Sequence, residues 1–171
     1  MAVPVPRTWV VGEVVTAAYM NGVRDALNYL LAPPLVDLSQ NVAQSLPNNS
    51  LTAVAWDTEG YDSDGTHSTV TNTTRITFIT PGWYQYDGAI TFDANTTGYR
   101  LAAAYKNAVT YKTGGRLPPS SSQTSIPVSG SMSVVAGDYL EIYALQSSGG
   151  ALNTFTSNNF RSFCTVRWVS T

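Results

Sequence analysis

From Leu35 to Thr171 apolar residues fall on alternate positions, and clusters of Gly, Pro, Asn, Asp and Ser interrupt them roughly every 8–12 residues. A side-chain period of two belongs to strands with one covered face. In Trp83–Ala94, Tyr84, Tyr86, Ile90, Phe92 and Ala94 share one face, and Gln85, Asp87 and Thr91 lie on the other. Leu101, Ala103 and Tyr105 follow, before a turn at Lys106-Asn107. Ile126, Val128, Met132 and Val134 continue the alternation, broken by Gly130. Pro81-Gly82 reads as a type II turn and Ala136-Gly137-Asp138 as a hairpin turn. Asp57–Thr69 reads as an acidic surface loop and Gly114–Thr124 as a Gly/Pro/Ser loop. About eight to ten short strands with no second helix make an all-β sandwich or barrel.

One strand carries a further constraint. In Tyr139–Gln146, Leu140, Ile142 and Ala144 form one apolar face, while Tyr139, Tyr143 and Leu145 form another. One face can fill the core. The other needs a cover: a neighbouring subunit, a loop or the N-terminal helix.

Residues 1–34 are of a different kind. Met1–Pro6 holds two prolines and should be extended. A helix is expected from an N-cap at Thr16 to about Leu31, stopped by Pro33-Pro34. Met20, Val23, Leu27 and Leu30 are spaced three, four and three apart, as at the seam of a coiled coil. So short a seam cannot hold strands together unaided. The helix packs on its own domain, joins a bundle around an oligomer axis, or docks as a peg on a larger assembly. Asn21, Arg24 and Asn28 supply polar groups for contact with another chain.

Composition removes several classes of function. Charged residues are 12%, the net charge is −2, and no polybasic run offers a footprint for nucleic-acid phosphates. No apolar stretch reaches the ~18 residues of a spanning helix. The opening residues lack the basic and apolar regions of a secretory signal. Cys164 and His67 are the single residues of their types, which argues against a Cys/His zinc site; no cofactor is expected.

Four of the eleven carboxylates fall between Asp57 and Asp64. Asp57, Asp62 and Asp64 are weak candidates for a hard cation, because such ions want several close oxygens, yet the spacing is not that of an EF-hand. His67 beside a carboxylate, or a carboxylate pair among Asp57, Asp62, Asp87 and Asp93, is too common an arrangement to indicate catalysis. No catalytic role is expected. Tyr61, Tyr99 and Tyr111, in or near expected loops, and Arg116 are candidates to contact sugars, since aromatic rings stack on sugar faces.

Two resemblances sharpen this. Thr80-Pro81-Gly82-Trp83-Tyr84-Gln85-Tyr86, Gly137-Asp138-Tyr139-Leu140-Glu141-Ile142 and Ser162-Phe163-Cys164-Thr165-Val166 occur in order. They are similar to three strand motifs of the tumour-necrosis-factor and complement-first-component superfamily. That family usually carries Gly soon after the final Phe, where Cys164-Thr165 stand here. The resemblance implies an antiparallel jelly-roll sandwich and a homotrimer, with Tyr139, Tyr143 and Leu145 at the subunit interface; the Met20, Val23, Leu27 and Leu30 seam, read from its spacing, is expected to join that interface. Thr8-Trp9, Gly12-Glu13, Thr16-Ala17, Asn21, Arg24-Asp25, Leu27-Asn28 and Leu30 resemble the start of virion proteins of tailed phages that infect actinobacteria. This second resemblance implies a minor tail, fibre or head-decoration protein on the virion surface. Residues 1–34 would anchor it to other virion proteins through Arg7, Trp9, Asn21, Arg24 and Asn28. Residues 35–171 would project as a head able to touch host-surface carbohydrate, without membrane insertion. The alternative is a free carbohydrate-binding module.

Overall fold

The computed structural model describes residues 8–170, the side chains of Thr113 and Asn158 apart. Arg7 and the expected extended segment Met1–Pro6 lie outside the described residues. Helix α1 spans Ala17–Leu31. Twelve strands follow: β1 (Leu35–Ser39), β2 (Ser45–Leu46), β3 (Thr52–Ala53), β4 (Thr58–Asp62), β5 (Arg75–Thr77), β6 (Gly82–Phe92), β7 (Arg100–Lys106), β8 (Val109–Leu117), β9 (Thr124–Val134), β10 (Tyr139–Gln146), β11 (Leu152–Asn153) and β12 (Phe163–Ser170).

They form a mainly antiparallel jelly-roll sandwich behind one N-terminal helix. The first sheet runs β4-β1-β12-β6-β9, and the second runs β3-β10-β7-β8 with β5 beside β10. Alternation decides what lies between them. Tyr84, Tyr86, Ile90 and Phe92 of β6 are buried against Leu140, Ile142 and Ala144 of β10, with Trp56, Leu38 and Phe78 filling the same core. Full burial of each large side chain contributes about 1.5–3 kcal/mol relative to exposure.

Gly82 begins β6 with φ 139°, a backbone conformation closed to most L-residues, and Trp168 packs where its Cβ would stand. Asn107 and Ala108 both have positive φ, so the turn after Lys106 is a tight β7–β8 hairpin.

Four expectations change. Gly114-Gly115 do not open a loop: β8 runs through them, because the missing side chains let its backbone lie against Pro127 and Val128 of β9. Gly130 does not break β9, where it pairs with Tyr86 and makes room for that ring. Ala136–Asp138 joins strands of different sheets, so it is a crossing turn and not a hairpin. The acidic segment holds a strand, β4, paired to β1, and buries His67 behind it.

Candidate functional site: the exposed helix seam and the faces of the head

Thr16 caps α1, its Oγ1 accepting from the Tyr19 amide at 3.4 Å. Ala32 closes it by donating to Asn28 O, and the prolines end it. Only Tyr29 of the helix is buried, its ring edge-on to Trp168 with centroids 4.9 Å apart. At 100° per residue the Met20/Val23/Leu27/Leu30 stripe lies about 140° round the helix from Tyr29. The stripe therefore faces away from the head, and its four side chains are 55, 38, 54 and 65% exposed. Asn21, Arg24 and Asn28 are exposed beside it, with the Arg24 guanidinium 2.7 Å from Asp25. Trp9 stands edge-on to Tyr19, centroids 6.0 Å apart.

Tyr139, Tyr143 and Leu145 lie on the outward face of the second sheet; Tyr143 and Leu145 are in register with Ala103 and Leu101 of β7 and Tyr139 with Thr77 of β5, while Tyr105 and Arg75 stand opposite Glu141. They are half-buried within one chain. The Tyr105 and Tyr143 rings pack at 4.2 Å, and the Arg75 guanidinium sits 4.2 Å over Tyr139. Glu141 is buried on this same face. It accepts from Thr74 Oγ1 at 2.7 Å, from Arg75 Nε at 3.3 Å and from the Tyr143 hydroxyl at 3.4 Å. Burial first, then the Glu141 carboxylate, pushes the Tyr143 phenol above its ordinary pKa. Period-two reading missed Glu141 because it interrupts the apolar outer face.

The first sheet has its own outward face. Trp83 is 46%, Phe163 41% and Val169 54% exposed there. Between them Arg167 donates to Gln85 Oε1 at 2.7 Å, and Thr165 Oγ1 donates to Asp37 Oδ1 at 2.7 Å. A cleft of about 620 Å³ opens beside Trp83, Lys112 and Val169. The signal available in sequence was the alternation of Phe163, Thr165, Arg167 and Val169.

The acidic segment spends its oxygens on its own chain. Asp57 accepts from the Asn41 and Val42 amides at 2.8 and 2.6 Å. Burial opposes its ionisation, but those bonds and one from Thr58 hold its carboxyl below the ordinary range. Asp62 accepts from the amides of Asp64, Gly65 and His67, and Asp64 accepts from the Thr80 hydroxyl. His67 is clamped between Glu59 Oε1 at 2.8 Å and Thr73 O at 3.1 Å. Among the described residues no group of three His, Cys, Asp or Glu is placed to hold a metal. Asp57, Asp62 and Asp64 each brace their own segment through these bonds. Cys164 is fully buried; burial, then the Asp87 and Asp37 charges, pushes its thiol up to about 12.

The tyrosines proposed for sugar contact are not gathered. Tyr61 is on β4 and Tyr111 on β8, its hydroxyl donating to Ser131 O at 3.0 Å. Tyr99 and Arg116 do meet: the guanidinium lies 3.6 Å over the ring. Arg116 is on β8 rather than in a loop. A residue missed in sequence positions Tyr99. Arg100 is buried and donates to the carbonyls of Asn95, Thr97 and Tyr99, fixing that loop.

No family model and no curated protein matches the chain. Among solved structures, it is similar to the globular domain of a zebrafish complement 1qA protein: TM-score 0.59 at 11% identity, over 80% of this chain and 97% of that one. Murine APRIL gives TM-score 0.58 at 13% identity, over 78% and 98%. Eiger TNF from S. frugiperda gives 0.56 at 12% identity, over 81% and 94%. At these identities the likeness is one of fold, and the chain has the tumour-necrosis-factor-like jelly roll.

Proposed function

We propose that this chain is a structural, non-catalytic protein of a phage virion, a homotrimeric surface knob serving as a head decoration or a minor tail or fibre protein. Residues 1–34 anchor it to other virion proteins and residues 35–171 form the projecting head. The observation that carries the reading is the apolar stripe of α1, exposed to water and turned away from its own head. Gathering three such stripes on an axis buries them, at about 25 cal/mol per Å² of apolar surface removed from water. The N-terminal likeness to actinobacteriophage virion proteins supports the particle as the place of attachment.

A 15-residue helix needs help from the head. Tyr139, Tyr143 and Leu145 offer one face, already half covered by Arg75 and Tyr105 of the same chain. Trp83, Phe163 and Val169 offer the other, more exposed. That second face belongs to the sheet that β1 enters directly from α1, which favours it as the partner of the helix seam. Light scattering on the full chain tests the assembly: three times 18.4 kDa is expected, and a monomer at micromolar concentration overturns it. Trp83→Arg and Tyr143→Arg then separate the two faces, the first expected to break the trimer and the second to spare it. Immunogold labelling with antibody to the head tests the virion, and particles that stay unlabelled refute that assignment.

A further inference from the structure

We propose that a cleft at the end of the head farthest from α1 is a binding site for a neutral saccharide. The proposal rests on reading that end as the outward tip of an anchored knob, and it names a ligand class and residues for it. The strand register gives the position. The row Leu35–Arg167–Gln85 lies at the helix end, where β1 begins. Asp93 lies eight residues beyond Gln85, just past the end of β6, about 25 Å away at the strand rise.

The cleft measures about 410 Å³, within the range of small-ligand sites. Its walls include Asp93, Gln123, Leu152, Asn153 and Phe155. They are held rigidly. The Asp93 amide donates to Asn153 O at 3.0 Å and the Phe155 amide to Thr91 O at 2.8 Å, with a Phe92–Thr154 bridge between them. Gln123 lines the cleft, and its Oε1 accepts from the Ser122 hydroxyl at 2.6 Å, a bond that does not use the donors of its carboxamide. Asp93 is half-buried, and among the described residues neither its carboxylate nor the Asn153 carboxamide has a hydrogen-bond partner.

These groups select the ligand. A carboxylate accepts from two hydroxyls, and the two carboxamides supply donors as well as acceptors. Neighbouring hydroxyls on one sugar face give and take in that way, while Phe155 and Leu152 offer carbon to its ring. A divalent cation wants more anionic oxygen than one carboxylate provides, and Asp93 repels an anion.

The test is an amide NMR titration of the full-length protein with glucose, galactose, mannose and N-acetylglucosamine in turn. Saturable shifts at 93, 123 and 151–155 are expected with at least one sugar, at a millimolar dissociation constant. Asp93→Asn should weaken that binding about tenfold by removing charge-assisted hydrogen bonds. Asn153→Ala, at an exposed position, should weaken it as well. No saturable shift in those residues with any of the four sugars overturns the proposal. So does the same pattern produced by calcium chloride alone and lost in Asp93→Asn. Light scattering on the same sample keeps the readings apart: a trimer without sugar shifts sinks only the cleft, and a monomer with them sinks only the assembly.

Discussion

The Tyr29 ring stands edge-on to Trp168 at 85°, joining a helix that otherwise lies in water to the last strand of the sandwich. Its hydroxyl is buried without a hydrogen-bond partner in the described structure, and burial, then the Asp64 charge, raises its pKa to about 12. The ring therefore stabilises the docking and the hydroxyl opposes it. Tyr29→Phe should keep or raise the melting temperature. Tyr29→Ala should cost about 3–5 kcal/mol and release α1, seen as loss of amide-exchange protection over residues 17–31.

Leu27→Asp places a charge in the exposed stripe without touching the core. The mass should fall from trimer to monomer at micromolar concentration, while the unfolding free energy of the variant stays within about 0.5 kcal/mol of that of wild type diluted until it is monomeric. Retention of the trimer would assign assembly to the head alone.

Asp138 accepts from Lys106 Nζ at 2.8 Å, from Asn107 Nδ2 at 2.7 Å and from the Val135 amide at 2.9 Å. Burial raises its pKa, but these bonds outweigh it and bring the carboxyl down to about 2. A depressed carboxylate contributes stability that is complete above its unfolded pKa and is lost as pH falls through the folded one. Asp138→Asn should be less stable than wild type by about 1–2 kcal/mol at neutral pH. The gap should close between pH 4 and pH 2, read by denaturant melts across that window.

Gly82→Ala should destabilise by about 2–3 kcal/mol, because φ 139° strains any L-residue and the new methyl meets Trp168. Since Trp168 also carries Tyr29, the same substitution should loosen α1, again read by amide exchange.

Local chemistry alone determined much of this protein. Thr16 as cap, Pro33-Pro34 as stop, and alternation along β6 and β10 follow from backbone geometry and a period of two, which act over a few residues and need no knowledge of neighbours. The three ordered motifs carried the jelly roll for the same reason, since two mark a local turn leading into a strand and the third is the start of a strand. Tertiary structure decided the rest. Whether Gly114-Gly115 open a loop or let β8 press on β9 depends on what approaches them. Tyr29 has nothing in its own helix to mark it as the docking residue; Trp168, far along the chain, makes it so. The oxygens of Asp57 and Asp62 are consumed by amides that only the folded chain brings near. The cleft between Asp93 and Asn153 exists because two segments some sixty residues apart run side by side there, a juxtaposition that long-range strand pairing creates and local sequence does not encode.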